Sequence, residues 1–310
     1  MIPAHNHIAR IGLGTVQFGL DYGISNHAGR VPLDEVERIL GRAATLGIKV
    51  LDTAALYGVS EETLGKILGP EHPFHIVTKT LKVDADRITD ADAVNLVRIF
   101  DRSLMRLRQP AVYGLLCHDA DDLLKPGGRR LIDVLTQLKN ERRVVKIGVS
   151  IYTGEQLDGV LELFTPDLVQ LPVSVFDQRL ISGRWLDRLH RLGVEIHARS
   201  VFLQGLLLME PKSLDSYFDP VRTRLEEYFS SLHGIGAGPL EGALHFALDQ
   251  PQIDTVLVGV CSRRELEQVR VALMRPGLPG FDFRRWAVDD PRYVNPSLWR
   301  LHDGALIPWS

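Results

Sequence analysis

The sequence has 310 residues, 45% of them hydrophobic and 24% charged, with a formal net charge of −3. This composition is ordinary for a globular chain able to bury most of its apolar surface without disulfides, and the charge gives no electrostatic case for nucleic acid or an anionic membrane. The two cysteines, Cys117 and Cys261, form no CxxC pattern, MIPAHNHIAR has no apolar core, and no apolar run is long enough to span a bilayer, so a reducing cytoplasm is the expected location.

Along the chain, short apolar runs alternate with longer amphipathic stretches. Strands are predicted over residues 9–14, 49–53, 74–78, 112–117, 146–150, 167–171, 195–200 and 255–258. Helices are predicted over 33–46, 92–107, 130–140, 154–164, 181–192, 240–248 and 262–272. The first helix shows Val36, Ile39, Leu40 and Ala43 at helical spacing. Thr153, with Gln156 three residues later, is a capping-box start.

Eight strands alternating with helices require parallel crossovers, and their natural closure is an α/β fold of the (β/α)8 TIM barrel type. A doubly wound nucleotide-binding sheet is the runner-up. It would want GxGxxG after the first strand, whereas the loop reads GLGTVQFGLDYG. The glycine-rich GIGAG, residues 234–238, follows no predicted strand and reads as a loop. With no internal repeat or low-complexity linker, residues 1–310 form one expected domain. A long loop over 205–239 and a tail over 276–310, carrying Trp286, Trp299 and Trp309, are expected to lie over the site.

Barrel enzymes carry their chemistry at the C-terminal ends of strands. The polar residues there are Asp52 and Tyr57 after the second strand, Lys79 after the third, His118 after the fourth, Ser150 after the fifth and Gln170 in the sixth. A free phenol, with a pKa near 10, is a poor acid or base at neutral pH. A Lys79 ammonium beside Tyr57 would stabilise the phenolate and lower that value, Asp52 could anchor the lysine, and His118 could hydrogen-bond a carbonyl oxygen. Taken singly, each residue has an ordinary structural explanation: a turn carboxylate, a core ring, a strand-edge lysine, a helix cap. Four such residues at consecutive strand ends favour a site. None can supply hydride, so a cofactor must. Neither paired carboxylates for a hydrolase nor a metal-ligand spacing is visible, and no metal is expected.

The sequence resembles the aldo-keto reductases, from IGLGTVQFG to VLVGVCSRRELEQ. DTAALYG resembles their Asp-x4-Tyr motif, VTKT supplies the lysine and LLCHDA the histidine. The resemblance implies NAD(P)H-dependent reversible hydride transfer to an aldehyde or ketone, with Tyr57 as general acid/base, Lys79 tuning it, Asp52 anchoring Lys79 and His118 orienting the carbonyl. It also implies cofactor contacts at Gly14, Thr15 and Asp52, at Ser150 and Gln170 for the carboxamide, and at Arg199, Ser200, Phe202 and Gln204 after the seventh strand. Gly259, Ser262, Arg263 and Gln268 would lie around the adenosine phosphate. Three positions depart from the pattern: Ile151 replaces an asparagine, Arg199 a tyrosine that stacks on nicotinamide, and Cys261 a frequent basic residue. Family habit favours NADPH, through Arg263 or Arg264, with NADH not excluded. The implied partner is a small carbonyl or alcohol, with no nucleic acid and no membrane. A small polar or sugar-like carbonyl is the expected substrate, and Arg222 and Arg224 in the 205–239 segment could attract an anionic group or simply solvate a helix. The alternatives are a sugar-alcohol dehydrogenase working oxidatively and a redox-sensing regulatory subunit, the latter having no need of a proton donor fit for turnover.

Overall fold

A computed structural model describes residues 7–275 and 277–301. Its strands are β1 (Ile11–Gly14), β2 (Val50–Asp52), β3 (His75–Lys79), β4 (Val112–Cys117), β5 (Val144–Ser150), β6 (Leu168–Pro172), β7 (Glu195–Arg199) and β8 (Thr255–Gly259). They form a closed barrel in chain order, every pairing parallel, with β1 closing on β8 through Gly14 opposite Gly259. The near-continuous apolar strands are what a sheet buried on both faces requires. The doubly wound alternative is thereby excluded.

The helices are α1 (Leu33–Thr45), α2 (Ser60–Ile67), α3 (Asp90–Leu107), α4 (Asp121–Leu124), α5 (Arg129–Asn140), α6 (Gly154–Leu163), α7 (Arg179–Ser182), α8 (Trp185–Arg191), α9 (Asp219–Gly234), α10 (Pro239–Leu248), α11 (Arg263–Ala272) and α12 (Pro291–Val294). Thr153 and Gln156 form the expected capping box on α6. No helix among the described residues is long and apolar enough to cross a membrane.

Three expectations need correction. The helix predicted over 181–192 is two short ones, α7 and α8, broken at Gly183 and at Arg184, which adopts a left-handed φ of 62°. No helix is predicted over residues 60–67, where α2 forms. The segment 205–239 is not a loop: it contains α9, whose Val221, Leu225, Tyr228, Phe229 and Leu232 are buried at helical spacing. Arg222 pairs with Asp219 and donates to Pro211 O and Leu214 O, while Arg224 donates to Ala287 O. Arg222 braces this segment from within, and Arg224 ties it to the tail.

In the tail, Trp286 packs against Tyr228 with ring centroids 5.6 Å apart, and Trp299 against Phe218 at 4.8 Å. Trp309 lies outside the described residues. The N-terminal end of the barrel is closed by a polar cluster: Tyr113 Oη donates to Glu195 Oε2 at 2.7 Å, Lys146 pairs with the same carboxylate, and His197 Nε2 lies 2.6 Å from its Oε1. Burial opposes the Glu195 charge, but hydrogen bonds from His197, Lys146 and Tyr113 overcome it and lower the carboxyl from 4.5 to about 2. The native state therefore binds this proton less readily than the unfolded chain. Its stabilisation is complete above about pH 4.5 and fades as pH falls toward 2. Acid unfolding of Glu195→Gln should lose part of the wild-type pH dependence in that window, as followed by circular dichroism.

Candidate active site

The strand ends bring four chemical groups to one place. Asp52 ends β2, and its carbonyl oxygen accepts from both the backbone N and the Oγ1 of Thr15 at 2.9 Å. This fixes the strand end before the chain turns toward Tyr57. Lys79 ends β3, a strand held from behind where Thr78 Oγ1 donates to Glu61 Oε1 at 2.6 Å. The Lys79 ammonium donates to Asp52 Oδ1 and Oδ2 at 2.8 Å each, to Thr53 O at 2.9 Å and to Tyr57 Oη at 3.2 Å. Three N–H groups are thus shared among four oxygens, and the phenol has the longest contact. His118 follows β4; its backbone N–H donates to Thr80 Oγ1 at 3.2 Å, and its ring meets Tyr57 edge-on at 6.0 Å between centroids.

The electrostatics differ from expectation at Tyr57. Desolvation and then the Asp52 carboxylate push the phenol well above its ordinary value, with Arg199 opposing them. The net shift is upward rather than the lowering expected beside Lys79, because burial and the Asp52 carboxylate outweigh the opposing cation. Tyr57 is therefore a protonated donor at neutral pH. Burial lowers Lys79, with Asp52 working against that shift. Burial, then Lys79 and Arg199, lower His118 from 6.5 to about 3, so it is a neutral imidazole.

The sign of the His118 shift makes a further expectation. The unfolded chain takes up this proton more readily, so the stability tied to a neutral His118 is complete above about pH 6.5 and is lost as pH falls toward 3. Imidazole NMR should find this ring uncharged throughout the window from about pH 5 to 8 in which ordinary histidines titrate.

A cavity of about 640 Å³ opens above these groups, within the usual range of ligand pockets. Asp52, Tyr57 and His118 line it, as do Gly14, Ser150, Gln170, Arg199, Ser200, Phe202, Gln204, Gly259 and Gln268. Ser150 and Gln170 sit opposite each other across β5 and β6. Gln170 Nε2 donates to Asp52 Oδ1 at 2.7 Å. Its Oε1, and that of Gln17 on the same cavity, are buried with no hydrogen-bond partner among the described residues. Buried acceptors of this kind can be satisfied by a donor from water or from a ligand, and a nicotinamide carboxamide has one to offer. The cavity thus suits the nicotinamide cofactor that the sequence implied.

Two loops form its wall. After β7 the backbone turns left-handed at Ser200 (φ 60°), Leu203 (φ 45°) and Gln204 (φ 54°), a costly conformation for residues with side chains. Gln204 O accepts from Ile24 N at 3.1 Å, joining this loop to the one after β1. A Cβ on Gly205 would meet Ser25 Oγ at 2.0 Å, so only glycine permits this approach. The tail reaches the cavity through Pro296 and Ser297 rather than through Trp286 or Trp299.

Not every expected residue reaches the cavity. Lys79 lies beneath it. Thr15 is fully buried, its hydroxyl occupied by Asp52 O and by Ser60 Oγ at 2.8 Å. Ser262 is the N-cap of α11, its Oγ accepting from Glu265 N at 3.1 Å, and the exposed Arg263 does not line the cavity. Ile151 packs in the apolar core, and its carbonyl accepts from Arg199 at 3.0 Å. The Arg199 guanidinium lies 4.1 Å from the centroid of the Tyr152 ring, a stacking geometry favourable to a cation. Sequence reasoning missed Gln17, Tyr152 and Glu265, which also line the cavity. Only Glu265 had a local signal, standing three residues after a serine at a helix start.

The family model for the "Aldo/keto reductase family" matches residues 10–285. Among curated proteins, the aldo-keto reductase YhdN of Bacillus subtilis is 25% identical over 298 residues, covering 84% of this chain and 83% of that protein. Among solved structures, the holo form of aldo-keto reductase AKR11C1 from Bacillus halodurans superposes with a TM-score of 0.70 at 21% identity, covering 89% of this chain and 90% of that one. The glycerol dehydrogenase AKR11B4 of Gluconobacter oxydans gives 0.67 at 22% identity, covering 89% and 88%. At such identities the structural likeness speaks for the fold alone.

Proposed function

The chain belongs to the aldo/keto reductase family, and from that premise we propose that it catalyses reversible reduction of a small polar aldehyde or ketone, with Tyr57 as the proton donor. One observation carries the reading: the run of contacts from Asp52 through Lys79 to the Tyr57 hydroxyl, ending at the cavity beside His118. When bound, a nicotinamide cofactor supplies or accepts the hydride at the carbonyl carbon.

The chain's own residues do the rest. Tyr57, protonated at neutral pH, gives its proton to the carbonyl oxygen as negative charge develops there. Lys79 keeps a positive charge 3.2 Å from the phenol oxygen, where it stabilises the phenolate left behind. Asp52 and Thr53 O prevent that ammonium from turning away. The neutral His118 can donate one hydrogen bond to the carbonyl oxygen and set its direction without competing for the proton. Ser150 and Gln170 offer polar contacts to a carboxamide. In alcohol oxidation the same residues act in reverse.

Polar side chains within a largely apolar lining support a small hydrophilic substrate: Ser25, Asn26, His27 and Ser297 lie on the same cavity. The reading is tested by incubating the protein with a reduced nicotinamide and a panel of short aldehydes and ketones. Cofactor oxidation that depends on a polar short-chain carbonyl is the expected result. Cofactor binding without turnover of any member would favour a redox-sensing role, and exclusive use of bulky apolar ketones would overturn the substrate class.

A further inference from the structure

We infer that the chain prefers NADH to NADPH, and that Glu265 sets the preference; this rests on the reading of the cavity as a nicotinamide cofactor site. The resemblance alone suggested the opposite, through Arg263 or Arg264. At the α11 end, the cavity is lined by Gly259, Cys261, Glu265 and Gln268, and the acidic side chain among these four is that of Glu265. Among the described residues the arginine lining the cavity is Arg199 at the end of β7, and its guanidinium is stacked on Tyr152, which follows β5.

The start of α11 would ordinarily attract an anion, because its first N–H groups are unpaired and the helix dipole is positive there. Here the chain's own acceptors occupy two of the first three helix donors and the N–H just before the N-cap. Cys261 N donates to Glu265 Oε2 at 2.7 Å, Arg263 N donates to Glu35 Oε1 at 2.6 Å, and Glu265 N donates to Ser262 Oγ at 3.1 Å. Glu35 is itself paired with Arg38, whose Nε donates to its Oε2 at 2.7 Å. The side chains of Arg263 and Arg264 are exposed and do not line the cavity.

A ribose 2′-phosphate would bring about −1.5 to −2 of charge to this end of the cavity, where it meets a carboxylate and a helix start with two of its first three donors in use. A 2′-hydroxyl can instead donate to Glu265, the arrangement by which an acidic side chain selects NAD over NADP in other nucleotide folds.

The test is calorimetric titration of the full chain with NADH and with NADPH at low and at moderate salt. NADH should bind at least about tenfold more tightly at low salt, and the margin should shrink as salt screens the repulsion. Glu265→Gln preserves the helix-capping acceptor, so it should leave the melting temperature unchanged while narrowing the margin by tightening NADPH. Arg263→Ala and Arg264→Ala should leave NADPH affinity unchanged. NADPH binding as tightly as NADH, and losing affinity on either arginine substitution, would overturn the inference and leave the reductase reading intact. A preference for NADH that persists unaltered in Glu265→Gln would remove Glu265 as its cause. Binding of neither nucleotide would overturn both this inference and the proposed function.

Discussion

Tyr57→Phe should reduce carbonyl turnover by about 10²- to 10⁴-fold, the usual contribution of a positioned general acid, while leaving cofactor affinity within about twofold. The substitution removes one oxygen and keeps the ring that meets His118 edge-on. Its cost to the fold should be small, because Lys79 retains Asp52 and Thr53 O as partners. Steady-state kinetics give the first quantity and calorimetry the second. The loss should fall on kcat rather than KM, since proton donation matters only as charge develops on the carbonyl oxygen. Turnover near the wild-type rate would remove Tyr57 from the chemistry and leave another group to donate the proton.

Lys79→Met should destabilise the native state by about 3–5 kcal/mol, the usual result of breaking one half of a buried ion pair. The Lys79 and Asp52 side chains are 1% and 6% exposed, so neither charge can turn to solvent when its partner is lost. The size of the effect comes from the abandoned Asp52 carboxylate, whose remaining hydrogen bond from Gln170 Nε2 does not neutralise it. The double variant Asp52→Asn, Lys79→Met should therefore recover most of the stability while remaining inactive. Urea unfolding of the two single variants and the double variant closes the cycle. Additive losses would mean that the pair is not coupled, and the lysine's placement would then need another cause than Asp52.

Both variants were legible in the sequence, because the signals that reveal these residues are local. Each of Asp52, Lys79 and His118 directly ends or follows an apolar run, and Tyr57 lies five residues beyond Asp52 in a turn. Strand after strand, a polar residue stands at the same point of the repeat. Helix α9 carries Val221, Leu225, Tyr228, Phe229 and Leu232 at helical spacing, but glycines and prolines at its borders give the segment the composition of a loop. Helix α2 was harder. It begins directly after the Tyr57 turn, and its first-turn Glu61 is 2% exposed, held by Arg106 at 2.6 Å, a contact that no helical periodicity reveals.

By itself, the sequence determined the alternation of buried strands with amphipathic helices, hence the barrel, and the residue types at each strand end, hence the class of chemistry. Only the tertiary structure decided which of those side chains face the cavity and what charge they meet there. Thr15 and Ser262 were expected at the cofactor, yet each hydroxyl is used in holding backbone. The rise of the Tyr57 phenol depends on how much water the folded loops exclude. The charge at α11 depends on Glu35, which reaches Arg263 N across 228 residues of chain, just as Gln170 reaches Asp52 across 118. Capping and periodicity act over three or four residues. Desolvation and electrostatics act over ångströms, and only folding turns one distance into the other.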